Sequence, residues 1–144
     1  MCGLAGFVSP PGRFDADRLE RIARDAAATI THRGPDDEGI WIDAETGVAL
    51  AHRRLAILDL SARGHQPMHG SNGRHCIVYN GEIYNFRALR DELRTVGYRF
   101  DGGSDTEVLL AAIDHWGVEG ALTRCNGMFA FALWDRASRE LTLA

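Results

Sequence analysis

Hydrophobic and polar positions along this chain follow two periods, and the places where one gives way to the other mark its elements. "CGLAGFV" at the start reads as a first strand. From Asp17, "DRLERIARDAAATITH" puts Leu19, Ile22, Ala23, Ala26, Ala27 and Ile30 on one helical face, with Asp17 and Glu20 spaced as a capping box. "GIWIDAETGVALAHRRLAIL" contains two β-rich runs around "AETG", a hairpin pattern. The polar stretch "SARGHQPMHGSNG" is a loop leading into a strand, "HCIVYNGEIYN". "RALRDELRTVG" predicts a second helix that Gly97 stops. "SDTEVLLAAIDHWG" predicts a third, with Ser104 and Glu107 as its capping box. "GMFAFALWDRASRELTLA" reads as two strands around a short turn, and the apolar runs "VLLAAI" and "MFAFALW" are core. Hairpins mixed with helices predict an α+β domain with largely antiparallel sheets and helices on their outer faces.

Composition narrows this picture only slightly. The 144 residues suffice for one domain that buries roughly two-thirds of its unfolded surface. With 45% apolar residues, 25% charged residues and a net charge of −4, the chain has the profile of a soluble globular protein. No basic stripe suits a nucleic-acid partner, and no apolar run approaches the ~20 residues of a membrane span. With no signal-peptide pattern, the expected location is the cytoplasm, where Cys2, Cys76 and Cys125 stay reduced. No metal site is expected: the cysteines lack close spacing, and Pro67 disrupts the helical geometry that His65 and His69 would need.

The second residue carries the candidate chemistry. A small residue behind the initiator lets Met1 be trimmed, leaving Cys2 with both a thiol and a free α-amino group. A model α-amino group titrates near 7.7–8.0, so it has a usable neutral fraction and can act as base for the adjacent nucleophile. A cysteine here can equally be a small apolar filler of an edge strand. By itself, "NG" at Asn80 and Gly81 signals a type I′ turn, and Asp105 suits the start of a helix.

Seven stretches in register, "MCGLAGF", "HRGPDDEG", "AHRRLAILDLS", "GHQPM", "VYNGEIYNF", "SDTEVLL" and "GMFAFALWD", resemble the N-terminal glutaminase domain of glutamine-hydrolysing asparagine synthetases. That domain is a class II glutamine amidotransferase of the N-terminal nucleophile (Ntn) hydrolase superfamily. The resemblance runs over residues 1–144 and implies a four-layer αββα sandwich, two mainly antiparallel sheets between helices. The family pattern continues with further strands and a synthetase domain, so the glutaminase domain is expected to be truncated at its C-terminal end.

The resemblance also implies roles. Cys2 is the nucleophile that forms a γ-glutamyl thioester, while the Asn80 side chain and the Gly81 N–H receive the oxyanion. Arg54 holds the α-carboxylate of L-glutamine and Asp105 its α-ammonium, with Glu82 as a secondary contact. The backbone of residues 56–58 lines the pocket, Arg33 to Asp37 shape a loop, and Arg53, on the opposite strand face from Arg54, is structural or solvated. No cofactor is expected here, because the "SGGxDS" type of ATP signature is absent and ATP and Mg belong to the synthetase domain. That domain is the expected partner, and a homo-oligomer is compatible with the sequence. The alternatives are a silent docking domain of an amidotransferase-like synthetase and the glutaminase domain of a different amide-forming amidotransferase.

Overall fold

In the computed structural model, which describes residues 2–57 and 61–144, seven strands form two antiparallel sheets. β1 (Gly3–Val8), β2 (Asp37–Asp43) and β3 (Val48–Arg54) make one, in the order β1-β3-β2. β4 (Met68–His69), β5 (His75–Ile83), β6 (Gly127–Asp135) and β7 (Glu140–Leu143) make the other, in chain order. Helix α1 (Ala16–Thr29) covers the first sheet, and α2 (Phe86–Thr95) and α3 (Asp105–Leu122) cover the second. These are the four layers the resemblance implied. Met1 and Leu58 lie outside the described residues, and with them the trimming of Met1 and part of the 56–58 backbone.

Alternation along the strands sorts side chains into three apolar layers. On β3, Val48 and Leu50 face the second sheet and meet Cys76 and Val78 of β5 and Ala132 and Trp134 of β6. The intervening Ala49 and Ala51 face α1 and meet Ala23 and Ala27, small residues that let helix and sheet approach closely. On the other side, Ile77, Tyr79 and Ile83 of β5, with Phe131 and Leu133 of β6, pack against α2 and α3. His52 continues the inward row of β3, fully buried, and its Nε2–H donates to Tyr79 O at 3.0 Å, joining the two sheets.

Helix ends depart from the sequence reading in instructive ways. Asp15, not Asp17, caps α1, accepting from Arg18 N at 2.8 Å; Glu20 instead pairs with Arg24. The stop at Gly97 holds, with N–H groups of Gly97 and Tyr98 reaching Arg94 O and Leu93 O, both at 3.1 Å, while Gly97 adopts φ +99°. Ser104 caps α3 through Glu107 N, but the Glu107 carboxylate turns to Asp101 N and Gly102 N instead of closing the box. The predicted end of α3 at Gly117 is a kink, φ +73°, after which the helix resumes to Leu122.

Candidate active site

The inward rows that build the inter-sheet core end in polar residues on one side of the sandwich. Gly3 pairs with Arg53, so the same register sets Cys2 opposite Arg54, one step beyond the last pair of β1 and β3. Asn80 extends the inward row of Cys76 and Val78 on β5. Where apolar packing stops, a cleft of about 240 Å³ opens, lined by Cys2, Arg54, Asn80, Gly81, Glu82 and Asp105 among others. All six residues singled out from the sequence thus meet around one cavity.

Cys2 is held by its neighbours' main chain. Its sulfur accepts from Leu55 N at 3.3 Å and lies 3.6 Å from Leu55 O, while Arg33 Nε donates to Cys2 O at 3.1 Å. The "HRGPDDEG" loop braces this end of the sheet: Asp36 accepts from Ala56 N at 2.8 Å, and Gly34 sits where a Cβ would lie 2.3 Å from Arg53 C and O. Arg53 faces away from the cleft, donating to Gly34 O and pairing with Glu38. Of the other thiols, burial pushes Cys76 up to about 12, and burial with the nearby Asp105 charge also raises Cys125. Neither is poised as a nucleophile.

Arg54 is buried, its Nη1 donating to Ser61 O at 2.9 Å, and its guanidinium lies against Gly64, where a Cβ would sit 2.1 Å from Nη2. Asn80 and Gly81 are not a turn: they continue β5, paired with Ala130 and Phe129 of β6. The sheet overrides the local turn signal, and a Cβ at Gly81 would lie 2.4 Å from Met128 O and Phe129 Cα. Asp105 is buried at the first position of α3, where Oδ2 accepts from Tyr79 O–H at 2.9 Å and Ile83 N at 3.0 Å. Burial, then the Asp105 charge, raises the Tyr79 hydroxyl well above its ordinary value, so it remains a donor. Glu82 stands exposed at the mouth beside Tyr84 and Met128.

Gly64, Gln66, Tyr79 and Thr106 are among the cleft residues that escaped the sequence reading. The only signal for the first two was the motif "GHQPM", and no periodicity assigns a loop residue to a cavity. Among the described residues, no group of three or more His, Cys, Asp or Glu side chains could hold a metal ion. His65 bonds Asp37 at 2.7 Å, and His69 packs edge-on against Trp41. No described helix is long and apolar enough to cross a membrane.

A family model described as the glutamine amidotransferase domain matches residues 1–144. The chain belongs to this family. This glutamine amidotransferase domain is 47% identical to a putative glutamine-hydrolysing asparagine synthetase of Mycobacterium tuberculosis, covering 100% of this chain and 24% of that protein. It is 42% identical to glutamine-hydrolysing asparagine synthetase 1 of Bacillus subtilis, covering 98% and 22% respectively. The domain therefore spans about a quarter of the length of these curated relatives. Its fold matches the solved glutamine phosphoribosylpyrophosphate amidotransferase of B. subtilis, with a TM-score of 0.74 at 18% identity over 94% of this chain and 35% of that one.

Proposed function

We propose that this domain hydrolyses L-glutamine to glutamate and ammonia. The observation that carries the reading is the shared cleft, which sets a thiol and a strand-borne Asn–Gly pair beside one buried guanidinium and two carboxylates. A free amino acid needs a partner of each sign at its α-carbon. Arg54 offers a planar fork for the carboxylate, and Asp105, whose Oδ2 takes both protein bonds, has Oδ1 for the ammonium, with Glu82 nearby. With Met1 removed, the Cys2 amine takes the thiol proton, and the thiolate attacks the carboxamide carbon. Asn80 Nδ2 and Gly81 N–H receive the oxyanion, worth roughly 2.7–4 kcal/mol per donor. The same amine returns its proton to the leaving ammonia, and water then cleaves the thioester to give glutamate.

The names of the relatives support a destination for the ammonia: a synthetase domain elsewhere in a longer protein, which uses ATP and Mg to make asparagine from aspartate. In this reading residues 1–144 are the glutaminase domain, require no cofactor and work in the cytoplasm. Intact mass measured before and after a diazo-ketone analogue of glutamine tests it, with Cys2→Ala in parallel. Loss of Met1 and a single adduct absent from the variant are expected. A trimmed protein that takes no adduct refutes the reading.

A further inference from the structure

Strand β4 is only two residues long, and its brevity leaves a gap in the second sheet beside the cleft. Its register pairs Met68 with Ile77, so a longer β4 would bring Gln66 opposite Tyr79. The chain instead passes over Gly39 of β2, where a Cβ would lie 1.9 Å from Gln66 O. On the far side, Phe131 N and O bond Ala144 at 2.7 and 3.2 Å, so Tyr79 and Phe131 face each other without exchanging main-chain bonds. The N–H and C=O of Tyr79, in a residue 3% exposed, must find partners where β4 has ended.

Two side chains fill that gap. Gln66 Oε1 accepts from Tyr79 N at 2.6 Å, and His52 Nε2–H donates to Tyr79 O at 3.0 Å. Both are buried, and Gln66 Nε2 also donates to Thr106 Oγ1 at 3.3 Å, tying this gap to the first turn of α3. The phenol is held by Asp105, so Tyr79 is fixed at its N–H by the loop before β4, at its carbonyl by β3 and at its hydroxyl by α3. The next peptide leads into Asn80 and Gly81.

We propose that Gln66 and His52 act as a surrogate strand: by fixing the Tyr79 main chain they aim the Asn80 amide and the Gly81 N–H at the developing oxyanion. The proposal rests on the glutaminase reading and makes both residues positioning residues, because the polar atoms they turn toward the cleft strand, Gln66 Oε1 and His52 Nε2, are spent on the Tyr79 main chain. A misaimed oxyanion donor weakens an interaction made in the transition state, so it lowers kcat more than it raises KM. Alkylation of Cys2 by iodoacetamide forms no oxyanion and should be spared.

The test compares Gln66→Met with Gln66→Glu, and His52→Leu with His52→Gln, the second of each pair keeping the needed acceptor or donor. The apolar variants are expected to lose about 10- to 100-fold in kcat, with KM within about threefold and Cys2 alkylation within about twofold of wild type. The polar variants should recover most of the loss. Equal kcat in all variants overturns the proposal, as does a loss that falls equally on KM and alkylation. Hydrogen exchange at Tyr79 gives a readout independent of turnover: fast in Gln66→Met, slow in wild type and Gln66→Glu. If the wild-type protein turns over no glutamine, the glutaminase reading fails on its own, and unchanged Tyr79 exchange in Gln66→Met then overturns the clamp.

Discussion

Replacing Gly64 with alanine asks whether the placement of Arg54, beyond its charge, governs glutamine binding. The new Cβ would lie 2.1 Å from Nη2 and 2.7 Å from Cζ of Arg54, so the guanidinium must retreat by about 1.3 Å to reach ordinary contact near 3.4 Å. That displacement is large enough to break the 2.9 Å bond from Nη1 to Ser61 O and to misalign the fork. The fold should tolerate the change: the displaced atoms end a flexible side chain, and alanine at a compatible site gains about 0.4–1 kcal/mol through the unfolded state. The lost bond to Ser61 opposes that gain at about 1–3 kcal/mol, so the melting temperature should fall by no more than roughly 10 °C. Glutamine binding should weaken, because a charge-assisted bond to a carboxylate contributes about 1.5–3 kcal/mol, equivalent to a roughly 10- to 150-fold higher KM. Glutamate release measured across glutamine concentrations, beside melts of the same samples, reads both quantities. A KM within about twofold of wild type in a folded variant would refute the placement argument.

Asp105→Asn keeps an acceptor for Tyr79 and Ile83, so it should raise KM for glutamine with little change in melting. Asp105→Ala leaves two buried donors unpaired at about 1–3 kcal/mol each, and should lower the melting temperature by roughly 5–15 °C; identical melts for the two variants would contradict this assignment. Burial, the dominant cause, lowers the His52 pKa from 6.5 to about 4, so between these values the unfolded chain binds more protons than the folded one. The contribution of His52 is therefore complete above about pH 6.5 and falls by about 3 kcal/mol as pH drops through 4. Melts of His52→Gln should show a shallower loss between pH 7 and 5, and an unchanged slope would count against a buried neutral imidazole.

The sequence disclosed the layers because strand alternation is a one-dimensional signal. Leu50 and Ala49 are adjacent in the chain but face different layers, as period two requires. The six residues singled out as candidates were legible through their motifs, and their meeting around one cleft follows from the same alternation, since Arg54 and Asn80 continue inward apolar rows. Asn80–Gly81 misleads as a dipeptide because turn propensity is local, whereas pairing across nine residues of β6 is not. Asp17 lost the cap to Asp15 because α1 begins at Ala16, two residues earlier than a cap at Asp17 implies, a shift within the usual ambiguity of a helix end read from sequence. Gln66 and Gly64 were invisible for a different reason. Their partners, Tyr79 N and the Arg54 guanidinium, lie 13 and 10 positions away and on other elements, at distances no periodicity encodes.

The shared facing of Cys2, Arg54 and Asn80 sets the size of the steps by which such a domain can change. Inserting or deleting one residue within β3, or before Asn80 in β5, would turn every later side chain of that strand to its other face, exchanging core for surface and withdrawing a cleft residue at once, and the same change in β1 would put Cys2 out of step with the strand behind it. Viable length variation in these strands therefore comes in pairs of residues, or not at all. The connections that reach the cleft without alternating, residues 61–67 before β4 and 101–104 before α3, carry no such parity. Lineages or designers seeking a different amide donor would find their single-residue freedom in those two segments, at positions other than Ser61, Gly64 and Gln66, whose contacts place Arg54 and Tyr79.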